Sequence, residues 1–237
     1  MNQFTGVCAM KTDMLKKLAA EEAVKQVRSG MVLGLGTGST TRFALEEIAR
    51  KLNKGELENI VGIPSSIATA QIAQKLNIPL STLDQHPIID LTIDGADEVD
   101  PQLNLIKGGG GALLREKVLA QASQRVVIIV DESKLSPRLG TNFYVPVEVL
   151  PFAWRTEYLY LESLGAEVIR RETPDGGFFK TDQGNVVLDC QFGPIDSPEM
   201  LALKLCQRAG IMEHGLFIGL ASEVIVASEE GVRHLTR

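Results

Sequence analysis

The 237-residue chain is 44% hydrophobic and 23% charged, an ordinary globular composition that excludes a disordered chain. Its formal net charge of −6 excludes nucleic-acid binding through a broad basic face, so an anionic ligand must be held by local donors. No apolar run reaches about 18 residues and no leader-like hydrophobic core opens the chain, which predicts no membrane span and a cytoplasmic location.

In chain order, residues 12–29 carry a helical pattern with Leu15, Ala19, Ala23 and Val27 on one face, Thr12 or Asp13 as N-cap and Gly30 as the stop. Met31–Leu35 reads as a short strand running into Gly36-Thr-Gly-Ser-Thr40, and a second helix follows through Phe43, Leu45, Ile48 and Leu52. A strand at Ile60–Ile63, a turn at Ser65–Ser66, a helix to about Leu76 and a strand at Leu91–Ile93 come next. Beyond the glycine run 108–111, Ala112–Ala122 reads as a helix and Val126–Val130 as a strand ending at Asp131. Short apolar strands alternating with helices predict an α/β fold with a parallel sheet covered on both faces. Ligands of such sheets bind beyond the carboxyl ends of the strands. The loops at Gly36–Thr40, Asp94–Glu98 and Asp131–Lys134 each follow a strand, which predicts that all three line one rim.

After about Pro146 the pattern changes. Val147–Leu150, a helix near 153–164, Ala166–Arg171, Asn185–Cys190, a helix near 198–209 and a strand near Gly215–Ile218 predict a ferredoxin-like split βαβ unit. Val224–Ala227 is a further strand able to return to the large sheet. The predicted organisation is therefore one domain over about 1–145 plus 219–237, interrupted by a smaller α/β domain over about 146–218.

Chemistry concentrates in 94–116. Asp94-Gly-Ala-Asp97-Glu98 precedes Lys107-Gly-Gly-Gly-Gly111 and then Glu116. Glycines after a lysine let backbone N–H groups close on an anion, because no Cβ holds the ligand away. Lys107 beside those donors suits a developing oxyanion, and Glu116 at a helix start suits a general base. Each has an ordinary alternative, a surface lysine and a favourable charge–dipole placement. Asp94, Asp97, Glu98 and Asp100 fit either an oxygen-ligand magnesium site or a solvated acidic turn, and the turn is the expectation for Glu98 and Asp100. Gly36–Thr40 is neither a dinucleotide fingerprint, since Ser39 stands where glycine is needed, nor a P-loop, since it lacks the lysine. Its hydroxyls at a strand-to-helix turn suit a single phosphate monoester or a capped tight turn. Lys134, Ser65, Ser66 and Thr69 read either way. Cys8, Cys190 and Cys206 lack C-x-x-C spacing and are expected to be reduced thiols, and His86, His214 and His234 lack metal-ligand spacing. These residues together point to proton transfer on a phosphorylated polyol. They leave open a sugar-phosphate sensor, a nicotinamide oxidoreductase and a metal-dependent hydride-shift isomerase.

The motifs closely resemble type A ribose-5-phosphate isomerase across almost the whole chain. They are G-T-G-S-T at 36–40, the serine turn at 65–69, D-G-A-D-E at 94–98, K-G-G-G at 107–110, R-E-K at 115–117, D-x-S-K at 131–134 and P-V-E-V at 146–149. The resemblance implies a Rossmann-like domain carrying the smaller one, and a homodimer or homotetramer. It implies interconversion of D-ribose 5-phosphate and D-ribulose 5-phosphate through an enediolate, with no metal and no cofactor. Glu116 matches the family's base, Lys107 its oxyanion stabiliser and Asp94 the group assisting ring opening, with Asp97 nearby. Thr37, Gly38, Ser39, Thr40, Gly95, Ala96, Gly108, Gly109, Gly110 and Lys134 match substrate and phosphate contacts. Residues 1–11 extend beyond the family's first helix, and Ile67 replaces a polar residue in the serine turn.

Overall fold

Runs of β-branched and aliphatic residues set between amphipathic segments organise the chain into two units in a computed structural model that describes residues 3–237, with side chains from Thr12 onward. In chain order the elements are α1 (Gln3–Val24), β1 (Val32–Leu35), α2 (Ser39–Asn53), β2 (Val61–Pro64), α3 (Ile67–Lys75), β3 (Ile89–Asp94), β4 (Glu98–Val99), β5 (Leu105–Ile106), α4 (Leu113–Ala122), β6 (Ser123–Asp131), β7 (Val145–Val149), α5 (Trp154–Ser163), β8 (Glu167–Arg170), β9 (Val186–Gln191), α6 (Pro198–Cys206), β10 (Ile211–His214), β11 (Leu216–Phe217), β12 (Glu223–Ser228) and β13 (Gly231–Thr236).

The first unit takes in the chain up to Gly95, then Val118–Ser133 and Ala221–Arg237. Its sheet has the order β13-β12-β6-β3-β1-β2, parallel except for β13 on the edge. β12 is buried along its whole length and β6 from Val126 on, which is why these strands read as unbroken apolar runs. Ala19, Ala20, Ala23 and Val24 of α1 join Ala44, Leu45 and Ile48 of α2 in the core cluster of this unit. Small side chains on α1 let its backbone approach closely. The helix runs straight through Thr12 and Asp13, which are therefore not caps, and it stops at Val24, short of Gly30. The chain turns after it through hydrogen bonds from the Gln26 and Val27 N–H groups to the carbonyls of Ala23 and Val24, and Val27 is still buried. β1 lies between β2 and β3, so the connections from β1 to β2 and from β2 to β3 pass to opposite sides of it. That reversal makes the carboxyl ends of β1 and β3 the topological switch point of this sheet.

The second unit comprises Ala96–Lys117 and Lys134–Leu220, so it also takes in 96–117 and 134–145, outside the smaller domain expected over about 146–218. Its larger sheet, order β10-β7-β9-β8, is antiparallel throughout and follows a β-α-β-β-α-β chain path, the ferredoxin-like arrangement. The fourth strand is β10, not the expected Gly215–Ile218. β10 carries a register shift between Ile211 and Glu213 and mixes buried with exposed positions, which hides its period in the sequence. Leu216–Phe217 pairs instead with β5, and β5 with β4, in a three-stranded sheet. These two-residue strands are too short to show periodicity.

His214, at the end of β10, is buried within this unit. Its Nδ1 accepts from the Leu216 N–H at 3.3 Å and lies 3.4 Å from Lys117 Nζ. Burial first, and the Lys117 charge second, push its pKa down to about 3. The unfolded chain protonates this histidine near pH 6.5 while the folded chain does not. Stability present above that pH is therefore lost as pH falls toward 3. We expect His214→Asn, which keeps an acceptor for Leu216, to remove about 2–3 kcal/mol of the loss in unfolding free energy between pH 7 and 4.5, read from urea denaturation at both pH values.

Candidate active site

In the first unit the β1 and β3 ends are locked to one another. Asp94, the last residue of β3, accepts on one oxygen from the Thr37 N–H at 3.1 Å and the Gly95 N–H at 2.8 Å. A Cβ on Gly36 would fall 2.1 Å from that oxygen, so only glycine permits the contact. The Thr37 hydroxyl lies 2.8 Å from Ser65 Oγ, donates to Ser66 Oγ at 2.8 Å and lies 2.9 Å from Thr69 Oγ1. Thr69 in turn donates to the Gly36 carbonyl at 3.0 Å, and the Ser66 hydroxyl caps α3 by accepting from the Thr69 N–H. Thr37 thus binds the turn to α3, while its neighbours face outward. Gly38 stands before α2 at φ +129° with open space where a Cβ would be, no side chain caps the helix, and Ser39 is exposed with Thr40 half-buried. The first N–H groups of α2 are therefore open to an anion. Thr41, which the sequence reading passed over, is buried, and its hydroxyl has no hydrogen-bond partner among the described residues. A fourth hydroxyl-bearing residue in Thr37–Thr41 was the available signal.

In the second unit Lys107 and Glu116 meet. Lys107 Nζ lies 3.3 Å from Glu116 Oε2, and the two side chains are only 4% and 5% exposed. Lys107 follows β5, and its N–H donates to the Gly215 carbonyl at 2.9 Å. Glu116 sits in the first turn of α4, where the helix dipole favours a carboxylate. Between them the chain turns tightly: Gly108 and Gly111 have φ of +108° and +77°, and the Gly111 N–H donates to the Gly108 carbonyl. Arg171 Nη1 takes the Gly108 and Gly109 carbonyls at 2.9 and 3.1 Å and is itself gripped by both carboxylate oxygens of Asp189. The carbonyls of the glycine run are thereby fixed on Arg171. Sequence reading gave neither Arg171 nor Asp189 a role, because an arginine at a strand end gives no sign of reaching residues more than sixty positions away.

Asp97 accepts from the Gly109 N–H at 2.8 Å, and a Cβ on Gly109 would sit 2.9 Å from its other oxygen. Gly95, Ala96 and Gly109 are half-buried, Gly108 is buried and Gly110 is exposed. Lys134 ends a single 3-10 turn at Glu132–Lys134 and is half-buried. The expectation that Glu98 and Asp100 are solvated is overturned. Glu98 is fully buried and accepts from the backbone N–H groups of Gly140, Thr141, Asn142 and Phe143. Asp100 takes the N–H groups of Gln102 and Asn104 and the Asn104 side-chain amide. Both carboxylates organise loops by satisfying backbone donors that burial would otherwise orphan. Among the described residues no cluster of histidine, cysteine, aspartate or glutamate could hold a metal ion. Cys190 and Cys206 are free thiols, and the Cys8 side chain lies outside the described residues.

Comparison with known proteins identifies the family. The family model of ribose 5-phosphate isomerase A (phosphoriboisomerase A) matches residues 61–231. The ribose-5-phosphate isomerase A of Chloroflexus aurantiacus is 58% identical over 95% of this chain and 94% of its own length. That of Desulfatibacillum aliphaticivorans is 58% identical over 94% and 97%. Among solved structures, a D-ribose-5-phosphate isomerase in complex with phospho-erythronic acid superposes with a TM-score of 0.94 at 41% identity, covering 95% of this chain and 99% of its own. Ribose 5-phosphate isomerase A from Methanocaldococcus jannaschii gives 0.91 at 38% identity, covering 95% and 100%. With half or more of the chain inside the family model and relatives this similar along nearly their full length, the chain belongs to the ribose-5-phosphate isomerase A family.

Proposed function

We propose that the protein interconverts D-ribose 5-phosphate and D-ribulose 5-phosphate by proton transfer through an enediolate, with Glu116 as base and Lys107 as oxyanion stabiliser. The observation that carries the chemistry is the buried contact of 3.3 Å between these two side chains. In the forward direction the Glu116 carboxylate removes the proton from C2 of the open-chain aldose. The C–H electrons form the C1=C2 bond, and the former carbonyl oxygen O1 takes the negative charge. Lys107 donates to that oxygen. Protonation of C1 by Glu116, proton uptake at O1 and loss of the O2 proton give the ketose, so atoms and charge balance. A base beside two adjacent carbons and a cation beside the oxygen that gains charge are what an α-hydroxycarbonyl isomerisation requires.

Asp94, assisted by Asp97, serves the ring oxygen and hydroxyls. The N–H groups of Gly108 and Gly110, together with Gly95, Ala96 and Gly109, whose N–H holds Asp97, serve the polyol. Gly38, Ser39, Thr40 and Lys134 serve the phosphate, with Thr37 holding their turn in place through its hydroxyl cluster. The open N-terminus of α2 and the buried Thr41 hydroxyl support an anion there. A phosphorylated sugar acid in a similar structure supports a ligand of this class. The protein is assigned to the cytoplasm, in keeping with its free thiols; no helix among the described residues is long and apolar enough to cross a membrane. It is further assigned as a homodimer or homotetramer, a reading supported by exposed Leu159, Met200 and Leu203 on α5 and α6 and by fully exposed Phe152.

Glu116→Gln should leave folding and sugar-phosphate binding intact and lower kcat by about 100-fold or more, measured by ribulose 5-phosphate formation with no added cofactor. Retained turnover removes Glu116 as the base. In D2O the product should carry deuterium on the carbon next to the carbonyl, read by mass spectrometry, and exhaustive chelation should leave the rate unchanged. Arg171→Lys keeps the charge but cannot hold the Asp189 carboxylate and two carbonyls together. Steady-state kinetics should show a KM raised about ten-fold, with a smaller change in kcat, as the glycine run loses its fixed orientation.

A further inference from the structure

Lys107 does not face Glu116 alone. β5 and β11 pair with Leu105 opposite Phe217 and Ile106 opposite Leu216. Alternation along a strand puts Lys107 on the same face as Leu105, so Lys107 and Phe217 are diagonal neighbours on one face of this small sheet. Lys107 Nζ lies over the Phe217 ring, 5.5 Å from its centroid, within reach of the negative face of the aromatic quadrupole. Phe217 is only 1% exposed, so water does not screen that attraction. A second ammonium, Lys117 Nζ, lies 4.8 Å from the same centroid. Lys117 is held by Glu213 at 2.6 Å and the His214 carbonyl at 2.7 Å, so its charge is balanced locally.

We propose that Phe217 is a positioning residue for the isomerisation, its ring face fixing the Lys107 ammonium where it confronts Glu116 and the oxygen that gains charge. This rests on the roles given above to Lys107 and Glu116. An aromatic face suits the task better than a carbonyl or a third carboxylate. It attracts the cation without a strong, directional demand on any one N–H, and it adds no negative charge to compete with the oxyanion. A leucine of similar bulk would fill the core but offer no such attraction.

The test replaces Phe217 site-specifically with 4-fluoro-, 3,5-difluoro- and 3,4,5-trifluorophenylalanine, which weaken the ring's negative face stepwise at nearly constant shape. We expect kcat to fall stepwise by about three- to ten-fold in all, with KM within about two-fold and the melting temperature unchanged. The same slope should persist in a Lys117→Met/Glu213→Gln background, where both partners of the second ion pair are removed together so that neither is left buried and unpaired. A flat kcat, a fall that tracks the melting temperature, or a slope that vanishes in that background overturns the proposal. Lys107→Met, assayed separately, tells the two levels apart. Wild-type turnover in that variant defeats the Lys107 assignment itself, whereas lost turnover beside a flat fluorination series defeats only the role of Phe217.

Discussion

A lysine and a glutamate buried against each other at 3.3 Å form the constraint around which the second unit is arranged. Taking two charges out of water costs several kcal/mol per ion, and their attraction only partly offsets it. Hydrophobic residues of similar volume would fill the same space at lower cost, so the pair is poorly explained as a device for stability. The surroundings hold it in place. Lys107 is tied by its backbone to Gly215 and Glu116 by the first turn of α4, and the intervening glycines are held by Arg171. Arg171, which is half-buried, is neutralised there by Asp189. One buried ion pair thus brings a second ion pair with it.

The first unit meets a different constraint, that of backbone crowding at the carboxyl ends of two inner strands. The carboxyl ends of β1 and β3 approach so closely that Asp94 occupies the space where a Gly36 side chain would stand. Asp94 then receives two backbone N–H groups, one from each strand's following turn. Charge-assisted bonds of this kind favour a fixed carboxylate over a mobile one. The hydroxyl cluster of Thr37, Ser65, Ser66 and Thr69 performs the equivalent service for the β1–α2 turn, which leaves the N-terminus of α2 uncapped and open. Every hydroxyl spent inside the cluster is one fewer available to a ligand. The residues beyond Thr37 are therefore the ones suited to face an anion.

Much of this was legible in the chain. Long apolar runs such as Val126–Val130 announce doubly covered parallel strands, and the K-G-G-G and D-G-A-D-E motifs announce the family. What escaped reading had physical reasons. β4, β5 and β11 are two residues each, below any detectable period, yet Lys107 directly follows β5 and Phe217 lies in β11. β10 breaks its alternation at a register shift, so the more regular apolar stretch just after it looked like the fourth strand of the ferredoxin-like sheet. Edge strand β13 is largely solvated and reads as an ordinary polar terminus. Arg171 and Asp189 act through contacts distant in sequence, and spacing alone cannot reveal such contacts.

The four carboxylates between Asp94 and Asp100 show how far composition falls short of role. Within seven positions they are chemically near-identical, and they separate only by the donors they meet. Glu98 spends both oxygens on four backbone N–H groups of one loop, and Asp100 spends both on a turn and an asparagine. Carboxylates saturated in this way fold the chain and have little capacity left for a substrate. Asp97 takes one N–H, from the glycine run, and Asp94 takes one from each of the turns after β1 and β3. Glu98 and Asp100 thus serve as scaffolding for the chain around them. An acidic stretch is read correctly only after the backbone donors around each acid have been counted, because buried donors take precedence over any ligand.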